Sequence, residues 1–250
     1  MRRGSLPIIV LSSVMAKQTK VVAHAGRRRH PRKRAEQQRS LETRAAILNA
    51  AIAEFAERGF EGASIRAIAD RIGVQHPLIT YHYPSKDILW RAAAEYAFAQ
   101  IRAGWDISAP EASDLPPLAR LREEYTALFR YTVAFPEFHQ FMRQEALTNN
   151  PRLKWVAETV LAPLLGRLIP QVVAAQKQGL LPAVDPILFH YMMVSLTATL
   201  SGFGPEMKMT SGLSAEDTKV TEAYWRLVDA TVFEGRVDAG PCREGKRRLR

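Results

Sequence analysis

The densest group of chemically active side chains lies between Gly73 and Leu89. This stretch reads GVQHPLITYHYPSKDIL and holds two histidines, two tyrosines and one lysine. Imidazole and phenol groups at this density could bind a metal ion, exchange protons as an acid–base pair, or form a surface that contacts another molecule. The elements that carry these side chains decide among the three.

Metal binding and catalysis find little support in the spacing. His76 and His82 are six residues apart and point in different directions on a helix, and no carboxylate at i+3 or i+4 completes a ligand set. The chain has no G-x-S-x-G, no P-loop and no G-x-G-x-x-G after a strand, and its single cysteine, Cys242, lies near the end. We therefore predict no metal, no cofactor and no enzymatic activity. The alternative left open is a helical enzyme site around His139, Glu145 and His190.

The charge of the chain is concentrated at its two ends. The net charge is +10, yet residues 1–40 hold 11 basic and 1 acidic side chains, residues 241–250 hold 5 and 1, and the rest holds 19 and 23. We predict a disordered basic extension over 1–39 and a disordered basic tail over 236–250, which could add nonspecific affinity for phosphate. The apolar run 6–16 loosely resembles a secretory signal, but it is short and interrupted. A poorly ordered extension of a cytoplasmic protein without a membrane span is the preferred interpretation.

Helical periodicity dominates the region after the extension. Apolar residues recur at helical spacing from Ile47 to Phe55, and Gly59 is the predicted stop. Ser64 can cap a short helix that ends at Gly73, and Pro77 suits the first turn of the next. Two short helices joined by a glycine turn, packed on a longer first helix, are the outline of a helix-turn-helix domain over 40–88.

A helix-turn-helix gives the opening stretch a function. The third helix is predicted to offer its polar side chains to DNA bases and sugars, and Lys86 to bind a phosphate. The starts of the first two helices, where backbone N–H groups are exposed, offer further phosphate contacts. The predicted DNA-binding residues are Thr43, Arg44, Ser64, Arg66, Gln75, His76, Pro77, Thr80, Tyr81, His82 and Lys86.

The same region resembles the DNA-binding domain of TetR-type transcriptional regulators. The resemblance rests on four motifs: R-x-x-I-L-x-A-A (44–51), F-A-E-R-G-F (55–60), S-I-R-x-I-A (64–69) and G-V-x-x-x-x-I-x-Y-H-Y-x-S-K (73–86). It implies a third helix in the major groove, with Tyr81, His82 and Lys86 at positions that contact DNA. It also implies a C-terminal helical domain that binds a small molecule and dimerises. Thr80 and Pro77 depart from the residues common in the family, so base preference does not carry over.

The remainder, 89–235, is predicted to be a helical bundle, which makes the chain all-α. A Pro- and Ser-rich segment at 107–117 marks a loop, and the helices predicted over 186–202 and 215–233 are apolar enough to form a two-fold dimer interface or an intrachain core. An effector of unknown class is expected to contact aromatic and polar side chains between the earlier helices. The candidates are Tyr125, Phe129, Phe138, His139, Met142, Trp155 and His190.

The sequence thus predicts a ligand-responsive repressor. It would bind a palindromic operator as a homodimer and leave DNA when a small molecule binds. The alternative is a helical enzyme or a small-molecule-binding protein without a role on DNA.

Overall fold

The computed structural model describes residues 31–146 and 150–234. Within these ranges the chain forms helices and connecting loops without a β-strand, so the predicted all-α fold is confirmed. In chain order, the helices are α1 (Pro31–Gly62), α2 (Ile65–Ile72), α3 (His76–His82), α4 (Lys86–Ser108), α5 (Pro117–Ala134), α6 (Glu137–Ala146), α7 (Pro151–Val156), α8 (Ala162–Lys177), α9 (Pro186–Ser211) and α10 (Thr218–Asp229). A π-helical turn (Ala157–Leu161) joins α7 to α8, and another (Ala230–Glu234) follows α10.

The first helix begins earlier than the sequence patterns indicate. We placed its start near Ser40, but α1 extends back to Pro31, so 31–39 is helical rather than part of a disordered extension. Proline is well tolerated in a first turn, and the residues that follow contain no helix breaker. Gln38 also donates to Glu42 one turn later, at 2.9 Å. The rest of the predicted extension, and the predicted tail with Cys242, lie outside the described residues.

Local sequence signals end α1 and shape α2 as predicted. Gly59 has φ 66° and ψ 176°, a combination that favours glycine, so regular helical geometry stops there before one last turn to Gly62. The Ser64 hydroxyl accepts from the Ala67 N–H at 3.1 Å and caps α2. Gly73 ends α2 in the left-handed region. These turns set the direction in which α3 leaves α2.

One hydrophobic core runs through the DNA-binding part and the C-terminal helices. The described chain divides between Thr43 and Arg44, and the boundary predicted between 88 and 89 falls inside the later unit. In that unit Ile68 and Ile79 are fully buried in the same core as Trp90 and Phe141. The Phe55 ring packs against the Phe141 ring at 6.3 Å. The two predicted domains are therefore joined by packed aromatic side chains as well as by the chain itself.

The C-terminal helices pack around α5, which contacts α4, α6, α8, α9 and α10. Helix α4 continues to Ser108, into the segment 107–117 that was predicted to be a loop, and α9 continues past the predicted end at 202, through Pro205, to Ser211. The chain forms its π-helical turn just before Pro163, where the Ala162 N–H donates to the carbonyl of Ala157. Proline has no N–H to continue a regular ladder, which favours such a turn.

Two helical stretches, 151–177 and 186–211, are long and apolar enough to cross a membrane by length and composition alone. The first contains Arg167, which is 15% exposed and bonded to the buried Glu124 at 2.7 Å. A paired charge of this kind is typical of a helix packed inside a protein. The second is α9, whose outer face is exposed among the described residues.

Candidate nucleic-acid interface and effector region

Helix α3 presents polar rings outward from a single buried anchor. Ile79 is fully buried, whereas Tyr81 is 82% exposed and His76 is also exposed. The Tyr81 ring meets the half-buried His82 ring edge to face, with centroids 5.2 Å apart. The short helix is therefore held on one side and free on the other, as direct contact with DNA requires.

Three polar groups around α3 differ in how many of their hydrogen-bonding atoms remain available. Gln75 stands at the N-cap, but its side chain makes no capping bond, so its amide is available to a partner. The Thr80 hydroxyl donates back to the Pro77 carbonyl at 3.1 Å, which leaves its oxygen able to accept. The Ser64 oxygen caps α2, so the hydroxyl hydrogen remains for a phosphate. Arg66, in the first turn of α2, is exposed.

Lys86 has a structural role that the sequence did not reveal. Its ammonium donates to the carbonyls of Glu61 and Ala63, each at 3.2 Å, and lies 4.7 Å from the centre of the Phe60 ring. The lysine thus binds the corner between α1 and α2. An ammonium has three N–H donors, so one remains for the predicted phosphate contact.

Thr43 and Arg44 do not lie where their predicted role placed them. We expected both at the start of the first helix, but α1 begins at Pro31 and both are interior residues, so no free backbone N–H group accompanies them. Arg44 is exposed and close to the end of α3. Burial raises the pKa of Tyr83, and the charge of Arg44 opposes that rise. Any contact from Arg44 to phosphate therefore depends on its side chain.

An ion-pair network fixes α2 on α1. Arg71 donates to Glu54 at 2.9 Å through Nε and to Glu57 at 3.1 Å through Nη1. The Glu54 carboxylate is 1% exposed, and it also lies 3.3 Å from Arg58. The hydrogen bond to Glu57, with help from Glu54, raises the pKa of Arg71. The helix that precedes α3 is thus held by charge as well as by its apolar face.

The candidate effector residues fall into three groups. Tyr125 and His190 are bonded to each other, and Phe129 stacks on Trp225 of α10 with centroids 4.7 Å apart. Phe138, next to His139, packs against Phe98 and Tyr131, each at 5.3 Å. Trp155 packs against Trp90 and belongs to the junction with the DNA-binding part, while Met142 is partly buried beside the core. Among the candidates themselves, Tyr125 contacts His190, and the Phe138 ring lies 5.4 Å from the His139 ring.

Burial lowers the pKa of two histidines, His139 and His190. In each case the pKa falls to about 4, so both are neutral at pH 7. The His190 Nδ1 lies 3.0 Å from the Tyr125 hydroxyl, and burial raises the pKa of that phenol. The Nε2 of His139 is buried without a hydrogen-bond partner. A neutral imidazole here can bind a polar group of a ligand without carrying charge.

A buried polar cluster on α5 and α8 is absent from our sequence predictions. Glu124 is fully buried and accepts from Arg167 at 2.7 Å and from Gln171 at 3.1 Å. Arg167 also bonds Asp106 at 2.6 Å and lies over the Trp105 ring. Burial raises the pKa of Glu124, against the opposing effect of Arg167.

A signal for this cluster exists in the sequence. Glu124 lies three residues after Leu121 and four before Leu128, on the apolar stripe of α5, and Arg167 adjoins Leu164 and Leu168 on α8. A charge on an apolar stripe indicates a buried pair. The same reasoning applies to Glu145, which follows Phe138 and Phe141 on α6.

The described residues add no further side chains to the metal site or to the alternative enzyme site considered from the sequence. No group of three histidine, cysteine, aspartate or glutamate side chains suited to a metal ion occurs within 31–146 and 150–234. Glu145 is bound to Arg152 and Asn150, while His190 is bound to Tyr125. Two of the three residues considered for an enzyme site, Glu145 and His190, are thus engaged with other partners.

Comparison with known proteins identifies the N-terminal part. Residues 47–93 match the family model of bacterial regulatory proteins, tetR family. The chain is 26% identical over 194 residues to the HTH-type transcriptional regulator RutR of Escherichia coli K12, an alignment that covers 76% of this chain and 88% of RutR. Residues 47–93 of this chain therefore form a DNA-binding domain of the TetR type. The chain is also 27% identical over 165 residues to the HTH-type transcriptional repressor NicS of Pseudomonas putida, covering 63% of this chain and 74% of NicS.

Solved structures share the fold of this chain. A TetR family transcription regulator from Marinobacter aquaeolei VT8 aligns with a TM-score of 0.58 at 22% identity, covering 79% of this chain and 98% of that one. The ketosteroid regulator KstR2 of Mycobacterium tuberculosis aligns with a TM-score of 0.58 at 20% identity, covering 77% and 96%. The predicted family and fold class are confirmed, and no enzyme family is indicated.

Proposed function

We propose that the protein is a repressor that binds a two-fold symmetric operator as a homodimer and leaves it when a small molecule binds among α4 to α9. The observation that carries the DNA-binding role is α3, with Ile79 buried and Tyr81 82% exposed beside His82. Its free side chains offer hydrogen-bond donors, acceptors and flat rings to a major groove. The body of the chain is acidic, so affinity depends on these local contacts and on two half-sites together.

The bases would be read by Gln75, His76, Thr80, Tyr81 and His82. Ser64, Arg66 and Lys86 would bind phosphates, and so would Thr43. Arg44 would reach the DNA backbone through its side chain. Pro77 starts the recognition helix without using a backbone donor that α3 needs. Base preference within this set stays open.

A second copy of the chain would cover the outer faces of α9 and α10. On α9 the buried Phe189 and Met193 face the protein's own core, while Leu188 and Phe203 are 65% and 59% exposed on the other side. On α10 Leu227 is 65% exposed. Apolar faces of this size are rare on monomers, and a two-fold axis between copies would bury both. This arrangement favours a dimer over a membrane span.

The effector would bind near the neutral histidines. His139 has a buried nitrogen without a partner, and His190 is bonded to Tyr125 between α5 and α9. Both lie among aromatic side chains, which suits a compact ligand with apolar surface and a few polar groups. Release from DNA requires the ligand to bind better to the form of the dimer whose recognition helices no longer match the operator.

Binding to the DNA upstream of the protein's own gene tests this function. The wild-type protein should protect a two-fold repeat there, with an affinity that falls steeply as salt rises. Variants Tyr81→Ala and Arg66→Ala should weaken protection, because one removes a base contact and the other a phosphate contact. Protection that both variants leave unchanged would show that α3 and the start of α2 are not the DNA-binding surface.

A further inference from the structure

The ring of Phe60 is contacted by charged side chains from two other parts of the molecule. Phe60 lies in the last turn of α1, directly after Gly59, and stacks on Phe55 with centroids 5.9 Å apart. The Lys86 ammonium lies 4.7 Å from the ring centre, and the Arg152 guanidinium carbon lies 3.7 Å from it. Both distances lie within the range of attraction between a cation and an aromatic face. The ring therefore joins α1, the start of α4 and α7.

On one side, Lys86 connects the ring to the DNA-binding helices. Its ammonium donates to the Glu61 and Ala63 carbonyls at the corner between α1 and α2. Lys86 is also the first residue of α4, shortly after α3 ends at His82. The entrance to α2 and the exit from α3 are thus tied to the same ammonium, which lies against Phe60.

On the other side, Arg152 is held by a buried carboxylate. Its Nε donates to Glu145 at 3.0 Å, and the Glu145 side chain is 3% exposed. Asn150 donates to the same carboxylate oxygen at 2.9 Å. A cation with a buried partner on one side and an aromatic ring on the other has little freedom to move. Arg152 thus contacts the ring from a fixed position.

Helix α6 adds a second connection to α1. Gln144, near the end of α6, donates to the Ala56 carbonyl at 3.1 Å, next to Glu145. His139, near the start of the same ten-residue helix, is one of the proposed effector contacts. One short helix therefore carries a proposed ligand contact near its start and, near its end, the groups that hold α1 and Arg152.

We propose that Arg152 is a positioning residue for DNA binding. It contacts no DNA itself, but through Phe60 and Lys86 it fixes the corner from which α2 and α3 extend. This inference rests on the proposed function, because it assigns to α6 and α7 the control of a helix that reads DNA. Loss of the Arg152 charge removes no side chain that contacts a base or a phosphate. The helices that carry those side chains are then held less firmly.

The test compares Arg152→Met with Lys154→Met. Methionine keeps much of the aliphatic volume and removes the charge in both cases, but Lys154 is 77% exposed and has only a distant partner, Glu158 at 3.9 Å. The readouts are the affinity for a duplex from the region upstream of the protein's own gene and the slope of log affinity against log salt. We expect Arg152→Met to weaken binding about tenfold, or about 1.4 kcal/mol. Arg152→Lys should recover part of the loss, and Lys154→Met should bind like the wild type.

The salt slope separates positioning from direct contact. Loss of a phosphate contact makes the slope shallower by about 0.9, whereas loss of a positioning contact leaves it unchanged. A shallower slope in Arg152→Met would overturn the proposal, as would unchanged affinity or an equal loss in Lys154→Met. Should Arg152→Met fail to fold, Phe60→Leu removes the ring while keeping the Arg152 and Glu145 pair, and the same outcomes apply.

Hydrogen exchange in the DNA-free protein tests the role of Arg152 independently of the proposed function. The Ala63 N–H donates to the Gly59 carbonyl at 3.2 Å and reports on the corner that Lys86 holds. Its exchange should quicken in Arg152→Met and stay at the wild-type rate in Lys154→Met. A wild-type protein that binds no DNA would refute the proposed function, and the exchange result would then decide the inference. Equal exchange in the two variants would refute it.

Discussion

Within the residues that the structure describes, helices α3 and α9 each have one exposed face, and the two faces have opposite chemistry. On α3 the exposed side chains include Tyr81, His76 and Gln75, whereas on α9 they include Leu188 and Phe203. Polar groups on a short helix lose little when they exchange water for base edges and sugars, while apolar groups gain from being removed from water. One chain thus exposes two surfaces that suit two different partners.

The two faces also differ in what holds them in place. Helix α3 has one buried residue, Ile79, and depends on the corner at Lys86 and on the Arg71 network of α2. Helix α9 is anchored along its length by Phe189, Met193, Thr197 and Leu200. We expect the DNA-reading surface to respond to distant changes and the apolar surface to stay fixed. The predictions below test this difference, from the largest expected effect to the smallest.

Charges on the apolar face should separate the dimer. In the double variant Leu188→Glu and Leu227→Glu, two carboxylates would have to be buried between the copies, which is strongly unfavourable. The protein should become monomeric in analytical ultracentrifugation, and operator affinity should fall on the order of a hundredfold or more because two half-sites no longer act together. Leu180→Glu is the control, since Leu180 is 47% exposed and lies outside both helices. A double variant that still sediments as a dimer would place the interface elsewhere.

Removal of the Tyr81 ring should damage the other face alone. Tyr81→Ala should lower operator affinity by about 1 to 3 kcal/mol, or roughly fivefold to 150-fold, because the exposed ring has little contact to lose except with DNA. Fluorescence anisotropy measures the affinity. The midpoint of thermal unfolding and the sedimentation of the dimer should match the wild type. A lower unfolding midpoint would instead show that the ring supports the fold.

Lys86 should affect both stability and DNA binding. Lys86→Met removes the donor to two carbonyls and should cost about 1.5 to 3 kcal/mol of unfolding free energy in denaturant titrations. If its remaining N–H binds a phosphate, the salt slope should also become shallower by about 0.9. Lys177→Met changes the net charge equally at an exposed position and serves as the control. A stability loss with an unchanged slope would leave Lys86 only its structural role.

Acid should weaken the effector region through its histidines. The pKa of His139 is about 4 in the folded protein and about 6.5 in the unfolded chain, so between these values the unfolded chain binds more protons. Stability is therefore lost as pH falls from about 6.5 to 4, by at most about 1.4 kcal/mol per pH unit for this residue. Denaturant titrations should show a shallower pH dependence for His139→Leu than for the wild type. Identical pH dependence would mean that the pKa of His139 is the same in the folded and unfolded states.

The sequence predicts the DNA-binding part better than the effector part because its signals are local. Ser64 and Gly73 each fix a helix end through contacts with near neighbours, and both lie where predicted. The start of α1 was missed because the segment from Pro31 carries basic residues of a kind common in disordered tails, yet contains no helix breaker. The effector candidates were chosen by residue type, but which rings meet depends on helix packing between residues distant in sequence, as with Phe129 and Trp225.

The contacts of Lys86 also depend on packing between residues that are distant in sequence. Its place after Ser85 indicates a lysine beside the end of the recognition helix, which is correct. Its bonds to Glu61 and Ala63 join residues far apart in sequence, and no helical period relates them. Buried charges such as Glu124 and Glu145 were predictable from the apolar stripes on which they stand, although their partners were not.

The four tryptophans can report on several of these contacts between helices in solution. Trp90 and Trp155 lie together where Arg91 and Arg152 approach their rings, Trp105 lies beneath Arg167, and Trp225 stacks on Phe129 beside the apolar face. Indole emission responds to nearby charge and to water, so each of these contacts contains a natural fluorophore. Variants that retain one tryptophan at a time would let the same spectrometer follow the DNA-binding junction, the far end of α4 and the apolar face without any added label.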